Sequence, residues 1–437
     1  MRPSSSPSDS PGPGLFDGVL AAGPVRAATT DLAWLRAMLD VEAALTRAGG
    51  APPEIVEEVA AACRVERYDV AALGAAAATA GNPVVPLARA LRAAVSPAAA
   101  RHVHRGATSQ DILDTAAMLV ARDALGLIIA DLTAAAEAAA RLAGAHRDTP
   151  VAARTLLQQA LPTTFGLVAA GWLTALDGVV DRLAGVRDTR LAVQLGGAAG
   201  TLAAFDSPSI VERLAAELDL PAPDLSWHTD RTRVADLAGA LGTACGIVGK
   251  VAGDVVLFAQ TEVGEVVEGA PGGSSSLPHK QNPVAAVSAR ACAAQAPGLA
   301  GTLLASMGHE HQRAAGAWHA EWAPFTGLLR STGSAAHWLA RCLAHLRVDP
   351  GRMRANLDAT GGALLAERIG AALAPKVGAT EAHDLVRAAV ASGRPLAEAL
   401  AAHFDQAELD ALLDPASYLG AAPALTDRAL KRHGERP

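Results

Sequence analysis

The chain has 437 residues, a formal net charge of -7 and four cysteines. Its length suffices for a large apolar core and for two or three domains, and its negative charge argues against nucleic acid as the main partner. The cysteines lie far apart without a Cys-x-x-Cys pair, which argues against a disulfide framework or a zinc site and favours reduced thiols in a cytoplasmic protein: Cys63, Cys245, Cys292 and Cys342.

The composition favours helices. Hydrophobic residues make up 51% of the chain but aromatic residues only 3%, so the apolar content is mostly alanine, leucine and valine. Alanine is the strongest helix former, and its small side chain lets helices approach one another closely. We therefore predict an all-α protein of tightly packed long helices.

Residues 1–14 are rich in serine and proline and lack the apolar core of a signal peptide, so we predict a disordered tail. Further along, the runs of alanine are interrupted by arginine, aspartate and glutamate. Because a membrane span needs roughly 20 mainly apolar residues in a row, we expect no transmembrane helix and no membrane partner.

Prolines and glycines divide the rest of the chain into predicted helices. Residues 31–48 form one helix that Gly49-Gly50 closes, and residues 53–79 form another helical segment that ends at Gly81-Asn82-Pro83. Five long segments with few breaking residues follow, at 113–146, 163–195, 228–268, 284–308 and 325–346. A helix of about 30 residues is roughly 45 Å long, so these segments predict a central bundle of long helices.

The first long segment is apolar on more than one face. Its large apolar side chains cannot all meet one partner: Leu119, Leu125, Leu127, Ile128, Ile129 and Leu132. A helix that is apolar nearly all round is buried. Burial on this scale favours contact with other subunits over one large monomeric core, and we predict an oligomer.

From about Pro350 the chain predicts shorter helices, with breaks at Gly361-Gly362, Pro375, Gly393 and Pro415. We interpret this part as a small helical cap. The predicted division is a disordered tail, an N-terminal helical domain, a central long-helix bundle and a C-terminal cap domain, at residues 1–14, 15–112, 113–348 and 349–437.

In residues 272–283 a glycine–serine run stands before a cation, an amide and a proline, as Gly-Gly-Ser-Ser-Ser-Leu-Pro-His-Lys-Gln-Asn-Pro. Such runs are often plain linkers, and Asn282-Pro283 is an ordinary helix start with asparagine as N-cap. A linker alone does not need Pro278, His279 and Lys280 beside the helix start. The segment therefore favours a mobile loop that closes over an anion and continues as a helix.

A second polar segment, residues 104–116, has Thr108 and Asp111 in the Ser/Thr-x-x-acid spacing of a helix N-terminus. Hydroxyl and backbone N–H groups at such a terminus also bind carboxylates, and His104, one turn away, is able to titrate near neutrality. Taken alone, the segment is explained by a helix cap.

Three other polar segments are weaker signals. Alone, residues 154–165 are a loop before a helix that Pro162 begins, and residues 227–233 are a basic patch that caps the next helix. The His-x-His of residues 309–313 invites a metal site, but no His-Glu-x-x-His motif or cysteine pair supplies further ligands, so we expect no metal. Arg313 is of greater interest, as a planar and permanent cation for a carboxylate.

Residues 273–283 resemble the signature loop of the fumarase/aspartase superfamily, Gly-Ser-Ser-x-Met-Pro-x-Lys-x-Asn-Pro, with Leu277 in place of the usual methionine. The other polar segments follow the order of that superfamily's conserved blocks, and the resemblance covers nearly the whole chain after residue 15. Within the superfamily the chain looks most similar to the 3-carboxy-cis,cis-muconate cycloisomerase branch. The residues that favour this branch lie at 81–87, 104–116, 154–165, 272–283 and 316–322.

The resemblance implies an all-α, fumarase/aspartase-like subunit with smaller helical N- and C-terminal domains. Its five long helices would join those of three other subunits in the twenty-helix core of a homotetramer, in which three subunits build each active site. The implied reaction lactonises a small polycarboxylate, 3-carboxy-cis,cis-muconate, in the β-ketoadipate pathway. It needs no metal or organic cofactor.

The resemblance also implies roles for residues that match the family's motifs. Ser274 is the catalytic serine of the mobile loop, while Lys280 and Asn282 bind a substrate carboxylate and the developing negative charge. His104 matches an active-site histidine of the adenylosuccinate lyases, and Arg313 an arginine that grips their substrate. The residues that bind carboxylate or line the site are Thr108, Ser109, Thr155 and Gln158.

Two departures from the family pattern bear on the reaction. The C–N lyases that release fumarate carry Thr-His-x-Gln, whereas this chain has Leu156 at the place of the histidine. Cycloisomerase relatives can carry histidine just after the glutamine, where this chain has Gln159. The first departure counts against adenylosuccinate and argininosuccinate lyase activity, and both leave the proton donor open. The alternative is a β-elimination lyase that releases fumarate or a related unsaturated acid from a substituted succinate, either adenylosuccinate lyase-like or a C–N lyase with a small leaving group.

Overall fold

The computed structural model describes residues 14–270, 272–273, 277 and 279–436. Helices account for 66% of the residues and strands for few, which confirms the predicted all-α fold. Residues 1–13 of the predicted disordered tail lie outside the described residues, as does Ser274, the predicted catalytic serine.

The α-helices of the described chain are α1 Asp17–Leu20, α2 Val25–Ala28, α3 Asp31–Ala48, α4 Pro53–Ala62, α5 Val70–Ala80, α6 Val84–Ala93, α7 Pro97–Ala100, α8 Ser109–Ala145, α9 Phe165–Thr189, α10 Ile210–Leu218, α11 Thr232–Phe258, α12 Val284–Ala293, α13 Ala296–Ala305, α14 Ala317–Ala344, α15 Pro350–Asp358, α16 Ala366–Val377, α17 Ala379–Ala391, α18 Leu396–Ala399, α19 Gln406–Leu413 and α20 Ala422–Gly434. The strands are β1 Pro150–Thr155, β2 Gln158–Thr164, β3 Val266–Val267 and β4 Arg347–Val348. Strand β1 pairs with β2, and β3 with β4, both antiparallel.

Helix α3 confirms the prediction for residues 31–48. The side chain of Thr30 accepts a hydrogen bond from the backbone N–H of Ala33 at 3.2 Å, which satisfies a donor in the first turn that has no partner within the helix. Gly49 then ends the helix as predicted.

The segment 53–79, predicted as one helical segment, forms α4 and α5. Cys63 ends α4, and a short 3₁₀ turn follows at Val65–Arg67. Asp69 then begins α5 by accepting a hydrogen bond from the backbone N–H of Ala72 at 3.1 Å. The division needs no proline or glycine, because an aspartate N-cap is enough to start a new helix.

Four of the predicted long segments form single helices, since α8, α9, α11 and α14 have 37, 25, 27 and 28 residues. The segment 284–308, predicted as one helix, instead forms α12 and α13. Pro297 stands in the first turn of α13, and a proline has no backbone N–H to continue a helix from the preceding turn. Helix α9 begins at Phe165 rather than at Pro162, because Pro162 belongs to β2.

In the last part of the chain the predicted breaks at Gly361-Gly362, Gly393 and Pro415 are confirmed. The predicted break at Pro375 is wrong, because this residue lies inside the last turn of α16. The apolar face of α16 packs into a separate cluster of apolar side chains. The free energy gained by this burial outweighs the loss of the one backbone hydrogen bond that Pro375 cannot donate. The buried members of this cluster are Ile369, Leu373, Ala382, Val386, Ala389, Leu396, Leu400, Phe404 and Leu409.

Helix α11 is the most apolar of the long helices, with a mean hydropathy of 1.6 over its most apolar 18 residues. By length and composition alone it is able to cross a membrane, a test that the core helices of soluble proteins also pass, and the expectation of no transmembrane helix stays a prediction. Its charges lie near the two ends and leave an apolar middle: Arg233, Asp236, Lys250 and Asp254. Only 39% of the apolar stretch is buried within the described chain.

The chain divides into two compact units. Within the described residues, unit 1 comprises 14–132, 179–249 and 288–338, and unit 2 comprises 133–178, 250–287 and 339–436. Large, fully buried side chains of unit 1 include Leu39, Leu87, Leu91, Ile112, Met118, Leu125, Ile128 and Leu132, and those of unit 2 include Phe165, Trp172, Leu173 and Leu176. The four-part domain division stays a prediction.

Candidate active site

The N-terminus of α8 brings two of the predicted carboxylate-binding residues together. Thr108 directly precedes this helix, and Ser109 is its first residue. The backbone N–H of Thr108 donates to Asp111 Oδ2 at 2.9 Å, which is the acidic half of the predicted capping box. Neither hydroxyl forms a hydrogen bond to any residue that the structure describes. Both are therefore available to an anion at the positive end of a long helix.

Asp111 does more than cap this helix. Its side chain is 1% exposed, and its carboxylate also accepts hydrogen bonds from the backbone N–H groups of Gly196 at 3.0 Å and Gly197 at 2.9 Å. The Nε2 atom of His228 lies 2.6 Å from Asp111 Oδ1. A buried carboxylate with these donors fixes the segments that carry them. The capping role predicted for residues 227–233 falls to Asp230, which accepts from the N–H of Thr232 at 3.0 Å.

Arg313, the predicted carboxylate cation, reaches the same loop of unit 1. Its Nη2 donates to the carbonyl of Gly197 at 2.5 Å, and its Nη1 donates to the carbonyl of the preceding residue at 2.6 Å. Burial lowers the pKa of this guanidinium, while Asp111 and Asp114 act to raise it. Because Gly197 also donates to Asp111, the guanidinium and the α8 N-terminus are fixed by one short loop.

His104, the predicted catalytic histidine, has a left-handed backbone with φ of 56°, and Gly106 follows with φ of 72°. A Cβ atom at Gly106 would lie 2.7 Å from the ring of Phe205, so only glycine fits this position. The Nδ1 atom of His104 lies 2.6 Å from Oε1 of Glu42 on α3. The turn before α8 is therefore fixed both by packing and by a side-chain contact.

A buried ionic cluster in unit 1 was missed by sequence reasoning. Arg231 lies between two carboxylates, with Nη1 2.8 Å from Asp114 Oδ2 and Nη2 2.6 Å from Glu321 Oε2. Burial alone would lower the pKa of Arg231, but the two carboxylates raise it, and burial raises the pKa of Glu321. His309 belongs to the same cluster, since its Nε2 lies 3.2 Å from Glu321 Oε1. The interpretation of residues 227–233 as a basic patch is wrong for Arg231, which is buried and paired.

In unit 2, Thr155 and Gln158 stand at the tip of a β-hairpin rather than in a plain loop. They pair across the ends of β1 and β2, and Leu156 and Leu157 form the two-residue turn between them. Both leucines have positive φ, 50° and 64°, as a type I′ turn requires. Leu156 is 96% and Leu157 70% exposed. The tip therefore presents four neighbouring side chains to its surroundings.

Polar contacts fix the hairpin at the residue pair next to its tip, Arg154 and Gln159. Arg154 and the buried Glu265 form a two-point ion pair, with nitrogen–oxygen distances of 2.9 and 2.7 Å. Asn356 donates to Glu265 Oε1 at 2.8 Å, and Gln159 Nε2 donates to the carbonyl of Asn356 at 3.0 Å. Gln159, at the position where cycloisomerase relatives can carry histidine, is thus occupied in holding the hairpin.

The signature loop is closed at its base. Gly272 and Asn282 exchange two backbone hydrogen bonds, at 2.9 and 3.0 Å. A Cβ atom at Gly272 would lie 2.3 Å from Val284, so the two ends of the loop meet only because this residue is glycine. Lys280 is exposed within the loop. Ser274, between these residues, lies outside the described part of the chain.

A buried residue from before the loop caps the helix after it. The carboxylate of Glu268, which is 4% exposed, accepts hydrogen bonds from the backbone N–H groups of Ala285 at 3.1 Å and Ala286 at 2.7 Å. These donors belong to the first turn of α12 and have no partner within that helix. Glu268 thus performs the capping that the sequence assigned to Asn282.

The predicted site residues form two groups, one in each unit. Unit 1 carries His104, Thr108, Ser109 and Arg313, and unit 2 carries Thr155, Gln158, Lys280 and Asn282. Sequence reasoning missed the buried side chains that fix the segments around them, because the contacts of these side chains are with residues remote in sequence: Glu42, His228, Arg231, Glu265 and Glu268.

Family comparisons agree with the helical fold and with the polar segments. The model described as Lyase matches residues 24–298, and the model described as adenylosuccinate lyase C-terminus matches residues 362–429. The chain belongs to the lyase family of the fumarase/aspartase superfamily.

Similar proteins match this chain over nearly its full length. It is 47% identical to nitrosuccinate lyase of Streptomyces davaonensis, over 95% of this chain and 94% of that protein. It is 46% identical to 3-carboxy-cis,cis-muconate cycloisomerase of Bradyrhizobium diazoefficiens, over 95% and 97%. The crystal structure of 3-carboxy-cis,cis-muconate lactonizing enzyme from Pseudomonas putida matches with a TM-score of 0.91 and 42% identity, covering 96% of this chain and 99% of that one.

Proposed function

We propose that this chain is a cycloisomerase that converts 3-carboxy-cis,cis-muconate to 4-carboxymuconolactone. The observation that carries the proposal is its end-to-end similarity to cycloisomerases, including the Pseudomonas putida structure with a TM-score of 0.91. The unengaged hydroxyls of Thr108 and Ser109 at the N-terminus of α8 support it, because such a terminus binds carboxylates. The net charge of -7 makes these local sites necessary for a substrate with three carboxylates.

Each of the two groups of residues binds part of the substrate, and in the expected tetramer different subunits contribute them to one site. Thr108 and Ser109 bind one carboxylate through their hydroxyls, with Arg313 as a nearby permanent cation. Thr155 and Gln158 line the site from the hairpin tip. Lys280 and Asn282 bind the carboxylate on which negative charge develops.

The reaction begins when one substrate carboxylate adds to the conjugated double bond of the same molecule. A carbon–oxygen bond closes the lactone, and the electron pair of the double bond moves to the carbon beside a second carboxylate. The resulting aci-carboxylate carries two negative charges on one group, which Lys280, Asn282 and the helix N-terminus stabilise electrostatically. One proton on that carbon completes the product.

Ser274 transfers this proton in the proposed mechanism. In the forward direction its hydroxyl gives the proton to the carbanion and regains one from solvent, and in reverse it acts as the base of a β-elimination. Serine is a weak base, so the closed loop must supply backbone N–H groups and Lys280 to stabilise its oxyanion.

We expect a cytoplasmic homotetramer whose active sites each draw residues from three subunits. Helix α11 supports assembly, because only 39% of its apolar stretch is buried in the single chain.

A second candidate is elimination from a succinate that carries a small nitrogen-containing group, and the 47% identity to a nitrosuccinate lyase favours it. Leu156 is compatible with both reactions. Lactonisation has no leaving group to protonate, and a leaving anion as weakly basic as nitrite departs without a general acid. An amine leaving group needs the histidine that Leu156 replaces.

The deciding experiment offers both substrates to the purified protein. A fall in the conjugated-diene absorbance of 3-carboxymuconate, with the lactone as product, is the expected result. No change in that absorbance, together with fumarate formation from nitrosuccinate, would assign the chain to the lyases.

A further inference from the structure

A cavity in unit 1 lies apart from the candidate active site. It has a volume of about 660 Å³ and lies between α3 and α8, with further walls from α2, α4 and α10. Every residue that lines it belongs to unit 1. On α8 the lining residues begin at Leu119, ten residues after Ser109, which is about 15 Å along the helix. The cavity is therefore separate from the helix terminus that we propose binds substrate.

The apolar part of the wall combines small side chains of α2 and α3 with larger side chains of α8. Its members include Ala28, Ala33, Ala37, Leu119, Val120 and Leu127. Binding sites for small molecules are usually cavities of about 300–1,000 Å³ with apolar walls and a few polar groups that fix the orientation of the ligand. The size and the apolar wall of this cavity fit that description.

The charged part of the wall is balanced. Three arginines and three acids line the cavity: Arg36, Arg47, Arg122, Asp40, Asp123 and Glu217. A ligand with several carboxylates, such as the proposed substrate, would meet as many negative as positive groups here. Because binding requires complementary charges, the balanced set favours a ligand that itself carries both signs.

Four of these six charges already have partners. Arg47 Nε lies 2.6 Å from Glu217 Oε2, and Arg122 Nε lies 3.4 Å from Asp123 Oδ1. Arg122 Nη1 also donates to the carbonyl of Leu218 at 2.8 Å. The paired charges hold the wall of the cavity, which leaves Arg36 and Asp40 for a ligand.

Arg36 and Asp40 form no hydrogen bond and no ion pair with any residue that the structure describes, and both are exposed. They stand one turn apart on α3, where the Cβ atoms of residues i and i+4 are about 5–6 Å apart. A pair in which the cation precedes the anion is the weaker orientation on a helix. The two groups therefore gain little from each other and remain available.

The two groups suit the two ends of a zwitterion. The walls around Asp40 partly desolvate its carboxylate and raise its pKa, while the charges of Arg36 and Arg47 act to lower it. A carboxylate that has lost part of its water is stabilised by a cationic donor. The guanidinium of Arg36 is planar and binds a carboxylate through two parallel hydrogen bonds.

We propose that this cavity binds a small zwitterion with an apolar side chain, namely an α-amino acid of the leucine type. The carboxylate of the ligand pairs with Arg36, its ammonium group pairs with Asp40, and its side chain lies against the apolar wall. The inference goes beyond the proposed function and does not depend on it, because no residue of the cavity takes part in the proposed reaction.

Isothermal titration calorimetry of the full-length protein with L-leucine tests for this site. We expect one molecule bound per chain with a Kd below about 1 mM. Two analogues, 4-methylpentanoate without the ammonium group and 3-methylbutylamine without the carboxylate, should bind at least about tenfold more weakly. Equal binding of either analogue would reject the zwitterion. No binding of leucine would reject the site, and this result is expected if another subunit covers the cavity.

Substitutions then locate the bound leucine. Arg36→Gln and Asp40→Asn should each raise Kd about tenfold or more, because each removes the partner of one ligand charge. Ala27→Leu, at an exposed position in the wall, makes the cavity smaller without changing its charge and should also raise Kd. The controls Arg89→Gln and Asp31→Asn, exposed and outside the cavity, should leave Kd unchanged. A wild-type Kd in both Arg36→Gln and Asp40→Asn would place the leucine elsewhere and overturn the proposal.

Discussion

Asp111 and His228 meet at 2.6 Å, although 117 residues separate them in the chain. The same carboxylate accepts hydrogen bonds from the backbone N–H groups of Thr108, Gly196 and Gly197. One buried side chain thereby joins the helix terminus that we propose binds carboxylate to the loop that holds Arg313.

Replacing this carboxylate by an amide should therefore damage both stability and activity. In Asp111→Asn, an NH2 group faces donors that need an acceptor, and we expect a loss of about 2–3 kcal/mol in the free energy of unfolding. We also expect activity to fall by about 100-fold, because Thr108 and Arg313 lose their common support. Urea unfolding and steady-state kinetics measure the two effects. Asp188→Asn, at an exposed position beside Arg187, is the matched control and should change neither.

In the Arg231 cluster, removing one carboxylate and removing the arginine should lower the free energy of unfolding by unequal amounts. Glu321→Gln leaves Arg231 paired with Asp114 and should cost no more than about 1 kcal/mol, whereas Arg231→Met leaves two buried carboxylates and should cost about 3–5 kcal/mol. Chemical denaturation of both variants tests this. Similar losses in the two variants would contradict the assignment of Arg231 as the shared counter-ion.

The same cluster gives a pH dependence of stability. Burial raises the pKa of Glu321 above its ordinary value of 4.5, so the folded state holds this proton more tightly than the unfolded state. Stability from this group is present below pH 4.5 and is lost as pH rises through the folded value. Glu321→Gln has no such proton, and its unfolding free energy should fall less over that range than that of the wild type.

Glu268 should matter for the signature loop, although it lies before it. Glu268→Gln places an NH2 group against the N–H donors of Ala285 and Ala286, and we expect a loss of about 1–3 kcal/mol in stability. Because Asn282 stands beside the loosened helix start, turnover should fall by about tenfold or more. Thermal unfolding and kinetics report the outcome, and Glu262→Gln, at an exposed position, serves as the control. Wild-type turnover of Glu268→Gln would show that the cap of α12 does not influence the function of the loop.

The hairpin turn should accept the residues that its backbone prefers. Leu156 and Leu157 have positive φ, which costs a leucine roughly 1–2 kcal/mol per residue. The double variant Leu156→Asn, Leu157→Gly matches a type I′ turn, and its unfolding free energy should rise by about 1–2 kcal/mol. The control is Leu161→Asn, on strand β2, which should give no gain. A fall in stability of the double variant would mean that another subunit covers the leucines.

Substitutions of Ser274 and Lys280 test the assignment of residues 272–283 as the loop of the active site. Ser274→Ala should nearly abolish turnover while the oligomer stays intact, and Lys280→Met should weaken substrate binding and rate together. Kinetics with size-exclusion chromatography measure both. Near-normal activity of Ser274→Ala would remove the serine from the mechanism.

Local signals in the sequence were sufficient for most of the long helices and for part of the site. The Thr30 cap and Gly49 stop of α3 lie at its own ends, and the Thr108–Asp111 spacing lies within one helical turn. Such contacts depend on neighbours in the chain, so the pattern of residues contains them.

Contacts between residues that are remote in the sequence could not be predicted from such local patterns. The partner of Glu42 is 62 residues away and that of Arg231 on α14 is 90 residues away, and no periodicity links them. The β1–β2 hairpin was missed for a different reason. Its turn is Leu156-Leu157 rather than the Asn-Gly or Asp-Gly that indicates a two-residue turn in sequence.

The exposed hairpin tip has a consequence for how reaction types diverge in this family. In the described chain the side chains of Thr155, Leu156 and Gln158 form no hydrogen bonds, and the ion pair of Arg154 with Glu265 holds the hairpin from below. A substitution at Leu156 therefore breaks no hydrogen bond of the described chain, and this position is able to change with the chemistry. Evolution is thereby able to exchange one reaction for another on an unchanged scaffold, in keeping with a nitrosuccinate lyase and a cycloisomerase at 47% and 46% identity to one chain.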